Sequence, residues 1–146
     1  MAGMSFGATA TGTLNVSATV VPTCTVSTTL VNFGNYDGSY ISTFGDVTVT
    51  CASGTPYHIA LDAGLAYDGN AYRRMSDGVN NLMYQLSHAG ELWGDADYAN
   101  TYHGGSSLAD TGNGAAQAHQ VTAELIAGLT VPAGAYNDVV NVTVYY

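Results

Sequence analysis

The chain has 146 residues, 47% apolar and only 9% charged, with 2 basic side chains against 11 acidic ones and a net charge of −9. This length and apolar content exclude a disordered chain and fit one domain; the acidic balance excludes nucleic acid or an anionic membrane surface as a partner, since both need basic patches. There is no lysine, which excludes Schiff-base chemistry, P-loop phosphate binding and lysine isopeptide cross-links, and 11 Tyr with 18 Gly suit an extracellular β-protein.

Met1-Ala2-Gly3-Met4 could be an artificial start, a signal-peptide remnant or the native N-terminus; no basic n-region followed by an apolar h-region is present. No run of about 18 apolar residues predicts a membrane-spanning helix. The clearest alternation follows. Ala8, Ala10, Gly12, Leu14, Val16, Ala18 and Val20 interleave with Thr9, Thr11, Thr13, Asn15, Ser17 and Thr19, one face apolar and the other polar. Pro22 ends that run because it cannot donate to a sheet ladder.

A second strand is predicted from Cys24 to about Phe33, a third over Asp46–Cys51, a fourth over Tyr57–Leu61 and a short apolar one over Leu82–Leu86. Glu91 to Ala116 is polar, acidic and Gly-rich, and reads as a long surface loop. Ala115 to Ala127 is the best helical candidate, although Val121, Leu125 and Ile126 also suit a strand. The sequence closes on a strand from Val139 to Tyr146. There Val140, Val142, Val144 and Tyr146 share the core face while Asn141 and Thr143 point outward. Turn signals at Asp37-Gly38, Ser53-Gly54, Asp68-Gly69, Asp77-Gly78, Asn113-Gly114 and Pro132-Ala-Gly134 separate these runs. Short strands at this spacing predict an antiparallel sandwich.

The two cysteines, Cys24 and Cys51, fit neither a zinc site nor a CxxC redox pair. Two buried thiols or one disulfide remain. The acidic, lysine-free, Thr-rich composition favours an oxidising compartment and hence the disulfide.

No catalytic constellation emerges. A GxSxG elbow is absent, and His58, His88, His103 and His119 lack HExxH spacing; His58 is expected to face outward and the others to lie at strand ends or in loops. Asp95-Ala-Asp97 lacks an EF-hand pattern and reads as a solvated loop. Neither a cofactor nor a metal site is expected. Arg73 and Arg74 are the only cations, and at least one is expected to pair with a carboxylate.

Two anomalies remain. The first charged side chain is Asp37, so the alternating segment lacks the charges that ordinarily protect an edge strand from pairing with other chains. The last apolar strand is equally unguarded. Either residues 8–20 fill a gap in their own domain, or they fill the same gap in a neighbouring copy by β-strand addition.

Several stretches, in this order and spacing, carry a family resemblance. They are the alternating N-terminal strand, Val31-Asn-Phe-Gly34, Gly45-Asp-Val-Thr-Val-Thr-Cys51, Pro56-Tyr-His-Ile-Ala-Leu-Asp-Ala-Gly64, Arg73-Arg-Met75, Tyr84-Gln-Leu86, Trp93-Gly-Asp95, Gly112-Asn-Gly114 and Pro132-Ala-Gly-Ala-Tyr-Asn-Asp-Val-Val-Asn-Val-Thr-Val-Tyr145. Together they resemble subunits of archaic chaperone–usher pili, which carry the spore-coat-U-like domain. The resemblance implies an all-β, incomplete immunoglobulin-like β-sandwich lacking its last strand, completed by a donor strand from a neighbouring subunit. It also implies a disulfide, matching Cys24 and Cys51.

On that reading residues 1–21 form a donor-strand extension and residues 22–146 the sandwich domain. Ala10, Gly12, Leu14, Val16, Ala18 and Val20 are the donor positions; Val140, Val142, Val144 and Tyr146 lie on the edge strand of the acceptor groove. The implied partners are identical subunits in a fibre, with a periplasmic chaperone and an outer-membrane usher during assembly, and neither nucleic acid nor membrane insertion. The implied setting is an extracellular adhesive pilus serving attachment and biofilm growth. Met4 and Phe6 depart from the family pattern by adding apolar residues before the donor. The competing reading is a secreted, monomeric carbohydrate-binding sandwich using Trp93, Tyr98 and Tyr102 as an aromatic platform.

Overall fold

The computed structural model describes residues 3, 5 and 7–146. Nine strands are present among them: β1 Cys24–Thr28, β2 Ile41–Cys51, β3 Pro56–Leu61, β4 Arg73–Ser76, β5 Asn81–His88, β6 Glu91–Leu92, β7 Leu108–Thr111, β8 Ala116–Leu125 and β9 Val142–Tyr145. One sheet runs β1-β2-β8-β5-β4, with β6 paired to β5; the other runs β7-β3-β9. All the ladders are antiparallel.

Period-2 patterning accounts for the packing. On β2, Val47, Val49 and Cys51 are buried while Asp46, Thr48 and Thr50 are only partly so. On β8, Val121, Ala123 and Leu125 point inward. Tyr57, Ile59 and Leu61 of β3 and Leu82, Tyr84 and Leu86 of β5 join them in one core between the two sheets. Each fully buried Val, Leu or Ile of this cluster contributes about 1.5–3 kcal/mol. Cys24 and Cys51 are register partners at the edge of the first sheet and are disulfide-bonded.

The structure differs from several sequence expectations. The segment Ala115 to Ala127, the best helical candidate, is strand β8, because its ladders to β2 and β5 satisfy the backbone and its alternate residues face the core. β1 stops at Thr28 rather than continuing to Phe33, and residues 29–38 join no sheet. β2 begins at Ile41, five residues before its expected start.

Glu91 to Ala116 is not a surface loop. It holds β6, β7 and three buried side chains, Trp93, Asp95 and Tyr102. Trp93 Nε1 donates to the Ile59 carbonyl at 2.8 Å. The Asp95 carboxylate accepts from the Tyr102 amide and the Thr101 hydroxyl, both at 2.7 Å. The glycines that suggested a loop permit backbone-on-backbone packing: a Cβ on Gly105 would collide with the Leu92 carbonyl.

His119 also departs from expectation. It occupies an inward position in the middle of β8, buried, with Nε2 2.9 Å from the Tyr57 hydroxyl and 3.5 Å from Asp110. Burial pushes its pKa below the ordinary histidine value, Asp110 opposes that shift and His88 adds to it. Of the two cations, Arg74 pairs with Asp68 at 2.9 Å. Arg73 is buried and is held by backbone carbonyls and the Tyr102 ring, with its Cζ 4.0 Å from the ring centroid.

Candidate functional site

β9 pairs with β3 on one side and has no partner on the other among the described residues. Beside this free edge lies an apolar groove of about 1200 Å³. Its floor is the core itself: Val47, Leu61, Leu82, Tyr84, Leu86, Val121 and Leu125 all line it. Residues 28–38 form one wall and residues 128–142 contribute the other, with Val31, Phe33, Leu129, Val131, Val140 and Val142 packed against the core as partly buried hydrophobics. The walls meet where the Tyr36 hydroxyl donates to the Ile126 carbonyl at 2.5 Å and accepts from the Leu129 amide at 3.1 Å, and where the Gly128 amide donates to Gly38 at 2.8 Å.

Tyr84 and Asp37 of this lining have local partners. The Tyr84 hydroxyl donates to Asp138, and burial together with that bond pushes the phenol's pKa well up. Asp37, at the exposed end of the wall, has its pKa held below the usual carboxylate value by the Ser39 amide and hydroxyl. The groove therefore presents aliphatic and aromatic surface at its base and settled hydrogen bonds at its rim. Such a cleft can take an extended, uncharged, alternating segment whose backbone continues the β9 ladder.

The chain carries a segment of that description. Residues 8–20 are exposed and join no ladder. Leu14 is 89% exposed, Val16 86% and Val20 87%, and Ala10, Gly12 and Ala18 are exposed as well. The segment does not occupy its own groove. The added apolar residues Met4 and Phe6 lie outside the described residues.

On the edge strand, Val140, Val142 and Val144 pack against the core, while Asn141 and Thr143 are exposed. Tyr146 differs from expectation: it lies beyond β9, is 63% exposed and does not share the valines' contact with the core. The ladder starts at Val142 because β3 ends at Leu61, its register partner.

The aromatic platform does not exist. Trp93 is 1% exposed and Tyr102 is fully buried, so neither can stack on a sugar. Tyr98 instead stacks on Tyr145 at 4.0 Å between centroids. Sequence reasoning missed the buried Arg73–Tyr102–Asp95 cluster; its signal was the Trp93-Gly-Asp95 stretch inside a segment read as polar loop.

No curated protein matches the chain. Among solved structures, the chain is similar to a chain of the CsuC–CsuE chaperone–tip adhesion subunit pre-assembly complex from archaic chaperone-usher Csu pili of Acinetobacter baumannii. The two are 24% identical with a TM-score of 0.66, over 88% of this chain and 40% of that one. That likeness establishes an immunoglobulin-like sandwich. The present chain spans about 40% of the length of that chain. Residues 10–143 match the family model of the Spore Coat Protein U domain, nearly the whole length, and the chain belongs to that family.

Proposed function

We propose that this protein is a structural, non-enzymatic subunit of an extracellular adhesive pilus assembled through the chaperone–usher pathway. Residues 1–21 act as the donor extension and residues 22–146 as the recipient sandwich. Residues about 8–20 of one copy insert beside β9 of the next, with Ala10, Gly12, Leu14, Val16, Ala18 and Val20 facing its groove. Before polymerisation a periplasmic chaperone covers the groove, in keeping with the structural relative, which is a chaperone–subunit complex. An outer-membrane usher then exchanges one strand for the other. Attachment and biofilm growth are the roles such a fibre serves.

One observation carries this reading: the same chain holds an open apolar groove along a free strand edge and an uncharged alternating segment that leaves its own groove untouched. Burying a charge in the groove would be costly, and the donor has none. The test is removal of residues 1–20 from the chain, with electron microscopy of the exported material. Native material is expected to form fibres and the shortened chain none. Normal fibres from the shortened chain would overturn the proposal.

A further inference from the structure

Residues 138–140 line one groove wall and continue through Asn141 into β9, yet residues 138–141 belong to no strand. Backbone amides in such a segment must find partners outside a ladder. Two aspartates supply them for Val139 and Asn141. The Asp62 Oδ1 accepts from the amides of Asn141 and Gly64, both at 2.9 Å, and its Oδ2 accepts from Asn141 Nδ2 at 2.8 Å. The Asp62 amide returns a bond to the Asn141 carbonyl at 3.1 Å. Asp138 Oδ1 accepts from the Leu65 amide at 2.7 Å and the Val139 amide at 2.8 Å, while its Oδ2 accepts from the Tyr84 hydroxyl on the groove floor.

The loop behind the wall is shaped for this contact. Gly64 has a φ of +80°, and a Cβ there would collide with the Asp138 carboxylate. Arg73, buried beneath, donates from Nε to the Asp62 carbonyl at 2.8 Å and from Nη2 to the Leu61 carbonyl at 3.0 Å. The wall is thus tied through Asp62 to the end of β3 and a buried guanidinium, and through Asp138 to the floor.

We infer that Asp62 and Asp138 are positioning residues of the strand-accepting groove. They hold residues 138–141 in the form that an incoming strand meets when it extends along β9. The inference rests on the donor-strand reading above. A carboxylate accepting several N–H groups makes charge-assisted bonds, stronger than neutral ones. With the wall already ordered, an incoming strand bears less of the entropy of ordering it.

The test uses the full chain as wild type and as D62A, D138A, D62N and D138N. Two quantities are read: amide exchange at Leu65, Val139 and Asn141, with β2 and β8 amides as reference, and the rate at which a fluorescent peptide of residues 8–20 leaves the protein. The alanine variants are expected to exchange at least tenfold faster at those three amides, with β2 and β8 within twofold, and to release peptide at least tenfold faster. The asparagine variants, which keep one acceptor oxygen, are expected to fall between. A uniform rise in exchange across β2 and β8, or peptide release unchanged in the alanine variants, would overturn the positioning roles alone. If the wild-type protein binds no peptide, the donor-strand reading fails and the positioning roles fail with it.

Discussion

Leu14→Asp separates folding from assembly. Leu14 is 89% exposed in the subunit and touches no core, so the substitution should leave subunit stability within a few tenths of a kcal/mol. In the groove of a neighbour the same side chain would meet Leu, Val and Tyr surface. The milder Leu14→Ala removes three carbons, at about 0.8 kcal/mol each, or about 2.4 kcal/mol, which is roughly a fiftyfold faster loss of the inserted strand. Leu14→Asp loses that transfer energy and adds several kcal/mol for an unpaired carboxylate, enough to prevent insertion. Thermal unfolding of the subunit by circular dichroism reads the first effect. The ladder of polymers on an unheated denaturing gel reads the second. Polymers of normal length from Leu14→Asp, or a subunit whose melting temperature falls by several degrees, would refute the reasoning.

Removing the disulfide in a Cys24→Ala, Cys51→Ala double variant should lower stability by about 3–4 kcal/mol in the chain-entropy model, measured by urea unfolding; a loss below about 1 kcal/mol would show that the unfolded loop gains little freedom. His119 should make stability depend on pH in a window separate from the acids. Its folded pKa is depressed, so its contribution is fully present above about pH 6.5 and is lost as pH falls through the lowered folded value. Melting temperature measured from pH 7.5 to 5 should therefore fall in the wild type and flatten in His119→Gln. The exposed carboxylates Asp37, Asp68 and Asp77, whose pKa values are depressed by hydrogen bonds to neighbouring residues, act lower, with stability lost only as pH falls below their ordinary value of 3.8.

Alternation in the sequence determines much of this protein. A strand exposes successive side chains to opposite faces, so Val47, Val49 and Cys51, or Val140, Val142 and Val144, identify their buried face by spacing alone. The same alternation, a polar face and an uncharged apolar face over thirteen consecutive residues, is the basis for proposing residues 8–20 as a donor strand. For Cys24 and Cys51 the sequence left two buried thiols or a disulfide, and the acidic, lysine-free composition favoured the disulfide that the structure holds.

Tertiary structure decided the rest, wherever a residue's role depends on partners distant in sequence. Glu91 to Ala116 looked like a loop because its polar side chains and glycines are locally loop-forming; only packing against β3 and Arg73 turns Trp93, Asp95 and Tyr102 into interior residues. His119 sits at an inward position that its polarity hides, compensated by Tyr57 from the opposite sheet. The groove itself has no local signature. Its walls come from residues 28–38 and 128–142, and they become one surface only when the two sheets stack and β9 is left with a single neighbour among the described residues.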